Sequence, residues 1–216
     1  MIQVLLFFFI SLITFGCGPR YIDYFPRHDD GAVKPIVALL PVVDASELNL
    51  FCDLSAELTH DMRYEIRNEG EFYLLPPREI QMHLAQIGKI DFLSDDLLAQ
   101  HFCNANFIIL TELISHDSIS SEPGACAWMI KNHPDRETLK VSMRIKIIDI
   151  RYPSPYVVLQ EVVTSDYPIR KKDLEVELNE LESDPQNYQT SSIGRAHDQL
   201  ISAVVRRIEE VIRSAF

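Results

Sequence analysis

The chain has 216 residues and a formal net charge of -12. That length suits one ordinary domain with something added, and a domain of about 180 residues can bury roughly 70% of its unfolded surface without a disulfide or a metal. The acidic balance excludes the basic face that phosphate recognition requires, so no nucleic-acid partner is expected.

Met1 to Gly16 carries no charged side chain, and Val4 to Ile13 is apolar except for Ser11. A run of this length suits the core of a signal peptide better than a spanning helix, which needs about 20 apolar residues. Gly16 and Gly18 flank Cys17, leaving an open chain for a peptidase, and Pro19 stops any helix. The same run also reads as an uncleaved amino-terminal anchor. Either reading puts the protein on a membrane with its folded part outside the cytoplasm.

The segment Thr14-Phe15-Gly16-Cys17 resembles the lipobox of a bacterial lipoprotein. Gly16 and Cys17 match that pattern, whereas Thr14 stands where Leu is preferred and Phe15 is larger than usual. The resemblance implies residues 1–16 as signal peptide and cleavage between Gly16 and Cys17. Cys17 then becomes the first mature residue, with diacylglyceride on its sulfur and palmitate on its amino group. Gly18, in place of the Asp that marks inner-membrane retention in enteric lipoproteins, points to the outer membrane. Several acyl chains hold a protein far better than one.

Residues 17–34 read as the lipidated cysteine and a linker. Pro19, Pro26, Gly18 and Gly31 deny this stretch a helix or a central strand. Residues 35–216 read as a single domain. Ile36 to Val43 is an apolar, β-branched run that predicts a buried strand. Asp53 or Ser55 caps a helix to about Asn68, with Leu54, Leu58, Met62 and Ile66 on one face and Gly70 as terminator. Glu71 to Leu75 is a second strand. Pro76 and Pro77 open a helix carrying Ile80, Leu84 and Ile87, and a third helix begins at Ser94. Phe107 to Ile114 is a third strand, and 115–138 reads as an irregular insertion. Val141, Met143, Ile145 and Ile147 alternate with polar residues, giving a strand with one wet face. Tyr156 to Thr164 returns as its hairpin partner. Residues 170–190 are charged and loop-like, and a last helix runs from about Ser192 to Ser214. The expected class is α+β: a mixed five-stranded sheet with helices packed on it, in the order β-α-β-α-α-β-β-β-α.

Three short stretches carry a further resemblance: Ile36-Val37-Ala38-Leu39-Leu40-Pro41, Asn104 to Leu110, and Met143 to Asp149. Together they resemble the amino-terminal domain of TolB and the cores of CsgG-like and LpoB-like envelope lipoproteins. The chain also resembles an uncharacterised chlamydial lipoprotein family. These likenesses imply the fold above over about residues 35–216, and fold alone assigns no role.

Chemistry-bearing motifs are sparse. His101 and Cys103 lie two apart and are both zinc-ligand types, but no CxxC or HExxH completes them, so no metal is expected. No Gly-rich phosphate loop and no GxSxG elbow is present, so neither a catalytic residue nor a cofactor is assigned. The seven histidines do not cluster in sequence. Cys52, Cys103 and Cys126 match no disulfide framework and read as buried thiols. Trp128, the only tryptophan, and Met129 stand in the irregular insertion. They read as a partner-binding tip or as a loop folded back on the domain. Arg170-Lys171-Lys172 and the acidic stretch after it read as a solvated connection or a short docking helix.

The sequence therefore points to a non-catalytic envelope lipoprotein, membrane-bound through Cys17, that binds an envelope protein as an accessory or assembly factor. A subunit of an oligomeric secretion channel, and a ligand binder or enzyme with an unrecognised site, stay as alternatives.

Overall fold

The computed structural model describes residues 26–46, 53–87, 94–120, 136–170, 181 and 185–216. Strands β1 (Ile36–Leu39), β2 (Val43–Asp44) and β3 (Tyr73–Leu74) are short. Strands β4 (Phe107–Ser120), β5 (Arg136–Asp149) and β6 (Tyr156–Arg170) are long. Helices α1 (Leu54–Glu69), α2 (Pro77–Ile87), α3 (Asp95–His101) and α4 (Ser192–Ala215) complete the fold, with a 3-10 turn at Pro185–Thr190. The sheet is six-stranded and mixed, in the order β3-β1-β4-β5-β6, with β2 also pairing β4. β1 pairs both neighbours in parallel, while β4, β5 and β6 are antiparallel.

The helix ends follow their sequence signals. Asp53 accepts from the Ala56 amide and Gly70 takes the left-handed conformation at φ 74° that closes α1. Ser94 and Ser191 cap α3 and α4 through the Leu97 and Gly194 amides. Ser55, the other candidate cap of α1, instead donates to the Val42 carbonyl.

Helices cover both faces of the sheet. Leu58, Met62 and Ile66 of α1 and Ala196, Leu200, Val204 and Ile208 of α4 bury Phe107, Ile109, Leu113, Val141, Met143, Ile145 and Ile147. Ile80 of α2 and Leu98 of α3 pack with Ala38, Leu40, Ile108 and Ile148 on the other face. The alternation of β4 and β5 thus feeds two cores. α4 supplies the largest helical contribution, and Gly194 lets it approach the 3-10 turn, where a Cβ would lie 2.2 Å from the Tyr188 carbonyl oxygen.

Three expectations are corrected. The sheet has six strands, not five, because the run Ile36 to Val43 is split at Pro41. Leu40 still donates to Ile109, proline has no amide to give, and the Val42 amide turns to Thr59 Oγ1 at 2.8 Å. The chain then rejoins β4 as β2, with Val43 opposite Glu112. Secondly, β4 runs to Ser120 and β5 begins at Arg136, so both ends of the stretch expected to be irregular are paired strand. Ser115 to Ser120 bond to Ser142 to Glu137 after a register shift at Leu113/Ser115. Residues 121–135 lie outside the described residues. Thirdly, β6 extends beyond Thr164 to Arg170, opposite Arg136. Among the described residues no helix is long and apolar enough to cross a membrane.

Candidate functional site

Beside its Arg207–Glu161 ion pair to β6, helix α4 takes part in three polar assemblies. At its first turns, His197 is fully buried. Its Nε2 meets His116 Nε2 from β4, and its Nδ1 meets the Tyr188 hydroxyl from the 3-10 turn. The two imidazoles stand edge to face, with centroids 4.6 Å apart. Burial pushes His197 down to about 3, and the neighbouring His116 adds to that. Burial likewise pushes His116 down to about 4, against the pull of Asp44 and Asp117. Both rings are therefore neutral at pH 7, and His116 Nδ1 is buried without a hydrogen-bond partner.

At the last turn, Asp149 is fully buried at the end of β5. Arg151 grips it through Nε at 3.0 and 3.1 Å and Nη2 at 2.5 Å, and the Tyr156 hydroxyl donates to it at 3.0 Å. Arg151 Nη2 also donates to the Ala215 carbonyl at 2.7 Å, tying the end of α4 to the sheet. Burial alone would raise the Asp149 carboxyl, but the hydrogen bonds from Arg151 and Tyr156 outweigh it and hold it below the ordinary carboxylate range.

Beside the amino end, α1 and α4 frame an open groove of about 440 Å³ lined by His60, Asp61, Tyr64, Glu65, Gln189, Asp198 and Ile201. Burial raises Asp61, helped by Asp198 and Glu57, and burial raises Asp198, helped by Glu65. Three turns further along α4, burial and the charges of Glu69, Glu71 and Glu65 push Glu209 up to about 7, with Arg213 opposing. The groove is lined by acidic and hydrogen-bonding side chains. It has neither a nucleophile paired with a base nor an oxyanion donor, so its geometry argues no particular reaction.

A family model described as a family of unknown function (DUF7499) matches residues 24–216. The chain belongs to this family. No curated protein matches the DUF7499 chain. Among solved structures, the hypothetical protein CT253 from Chlamydia trachomatis aligns with a TM-score of 0.60 at 19% identity, covering 83% of this chain and 98% of that one. That likeness shows a shared fold. Lipoprotein GNA1162 from Neisseria meningitidis aligns with a TM-score of 0.41 at 12% identity, covering 71% of this chain and 99% of its own. Protein XCC0632 from Xanthomonas campestris aligns with a TM-score of 0.47 at 8% identity, over 85% and 87%.

Of the residues singled out in the sequence, Gly16, Cys17, Trp128 and Met129 lie outside the described residues. Cys103 is exposed and free, which corrects the expectation of a buried thiol. Cys52 and Cys126 are outside the described residues. No group of three or more metal-ligating side chains forms among the described residues. Leu181, in the stretch read as a connection or docking helix, is buried in the main core. The sequence missed the pairing of His116 with His197, which are 81 residues apart. The only signal was position: His197 stands among the inward residues Ile193, Ala196, Leu200 and Val204.

Proposed function

We propose that this DUF7499 protein is an exported lipoprotein of the cell envelope, anchored through Cys17 and facing the periplasm, whose folded domain binds another envelope protein without catalysing a reaction. The outer membrane is favoured by Gly18. The anchor rests on the apolar leader and the Gly16-Cys17 junction. The observation that carries the binding role is the polarity of the sheet. The tether reaches the domain at Ile36, beside the first residues of β4. The segment holding Trp128 and Met129 joins Ser120 of β4 to Arg136 of β5, at the opposite ends of those strands. Fourteen residues of β4 separate the two ends, which is about 45 Å at the usual rise. The segment that contains this tryptophan and methionine is thus joined to the sheet at the end away from the anchored side, and such residues favour partner contacts. The outer edge of β6, which among the described strands pairs only β5, offers a second surface for strand addition.

In-cell crosslinking followed by affinity capture tests this reading. The wild-type chain should bring down one stoichiometric envelope protein. Trp128→Ala should reduce that capture several-fold, and Cys17→Ser should remain an unacylated precursor. Unchanged capture by the Trp128 variant would remove that segment from the account. Processing of the Cys17 variant like the wild type would remove the anchor.

A further inference from the structure

We infer that the sheet end carrying Tyr152, Tyr156 and Phe216 rests on the lipid surface to which the chain is tethered. This rests on the Cys17 anchor proposed above. The described chain begins at Pro26, whose carbonyl accepts from the Lys34 amide at 3.0 Å. Arg27 bridges Val33, so the tether is fastened two residues before β1. Pro26 is nine chain steps from Cys17, and even fully extended these reach only about 30 Å. The lipid therefore lies no more than about 30 Å from the strap that leads into β1.

The same end of the sheet presents the largest exposed aromatic group among the described residues. Val37 of β1 pairs Phe107, Phe107 pairs Asp149, and Asp149 pairs Tyr156, so the first turn of β6 and the end of β5 lie level with the start of β1. Three inter-strand steps make the lateral distance from β1 to β6 about 14 Å. Tyr152, Tyr156, Val157 and Phe216 are 56%, 46%, 39% and 52% exposed. The rings of Tyr152 and Tyr156 are 5.9 Å apart. Arg151 Cζ lies 5.7 Å from the Tyr152 centroid and 5.5 Å from that of Phe216, binding the rings into one patch. The charge of Arg151 is matched by the buried Asp149, so the patch is apolar with a phenol rim. Such rings favour the headgroup level of a bilayer, where one side is apolar and the other wet. Asp29 and Asp30 are exposed beside the tether, so the rings, not attraction to anionic lipid, carry the contact.

The test uses the full acylated chain in vesicles of phosphatidylcholine and phosphatidylethanolamine containing brominated acyl chains. In a Trp128→Phe background, Tyr152→Trp is compared with Val162→Trp. Val162 is equally exposed but six residues beyond Tyr156, about 20 Å along β6. Tryptophan at 152 should be quenched several-fold more than at 162, and Phe216→Ser should lower that quenching. Equal quenching at both positions, or none, in protein that floats with the vesicles would overturn the inference while leaving the anchor intact. Failure to float would overturn the anchor, and the inference with it.

Discussion

The two ends of α4 are held by buried polar groups built in opposite ways. At the carboxyl end, Asp149 and Arg151 are charged, and four donors, the Arg151 amide among them, converge on one carboxylate. At the amino end, His116 and His197 are neutral, share one contact and leave His116 Nδ1 without a partner. A saturated ionic cluster and a half-satisfied neutral one fasten the same helix to the same sheet. The contrast shows that burial alone does not set the behaviour of a polar group. What matters is whether its lone pairs and protons are answered.

The largest effect should come from the ionic end. Asp149→Ala leaves Arg151 with its side chain only 19% exposed and its charge unanswered. Removing one partner of a buried pair costs about 3 kcal/mol at the lower end of the usual range, and the retained bond to Ala215 favours that end. Urea denaturation at pH 7 should show the loss as a lower midpoint at unchanged slope. A loss below about 1 kcal/mol, the worth of an exposed pair, would mean that the cluster does not hold the helix.

The neutral end should declare itself through pH. The folded values of both histidines lie below the ordinary 6.5, so the unfolded chain binds protons first. Their contribution to stability is complete above pH 6.5 and is lost as pH falls from there toward about 4 and about 3. At 1.36 kcal/mol per unit, each ring contributes a loss of roughly 2 kcal/mol between pH 6.5 and pH 5. Asp149, whose folded value is depressed, contributes stability present above 3.8 and lost only below it, so between pH 6.5 and pH 5 only the histidines of these two clusters act. Asp61, Asp198 and Glu209 are shifted up and act with the opposite sign. The histidine contribution is therefore read as a difference. The double variant His116→Leu, His197→Leu should gain on the wild type as pH falls from 7 to 5, whatever constant amount the loss of the His197–Tyr188 contact costs. Parallel stability curves for the two proteins would break the comparison.

How much of this was legible in the sequence follows from which signals are local. Asp53, Gly70, Ser94 and the four-residue spacing of Leu54, Leu58, Met62 and Ile66 are local, and they give α1 and α3 directly. The alternation of Val141 to Ile147 gives β5 in the same way. The far ends of β4 and β6 were hidden because Ser115, His116, Asp117, Ser165 and Asp166 look like loop. Only the ladder opposite supplies the bonds that make them strand. The split at Pro41 depends on Thr59, 17 residues away. The three assemblies on α4 were less legible still, since each joins residues from separate elements. A histidine among apolar neighbours reads as a satisfied core residue until its partner is known.

The groove beside the amino end of α4 sharpens the comparison with the smallest change. Asp198 faces Asp61 and Glu65 across the groove, and like charges raise both aspartates beyond the effect of burial. Asp198 is exposed, so solvent screens that repulsion and little of it reaches stability. Asp198→Asn should therefore stabilise the fold at pH 7 by a few tenths of a kcal/mol, about the size of a like-charge pair on a helix surface. The gain should shrink in 1 M salt, where the screening length is about 3 Å. Thermal unfolding at low and high salt reads both. If Asp198→Asn instead lowers stability, the carboxylate is making a favourable contact, and α4 would be held by charge along its length as it is at Asp149.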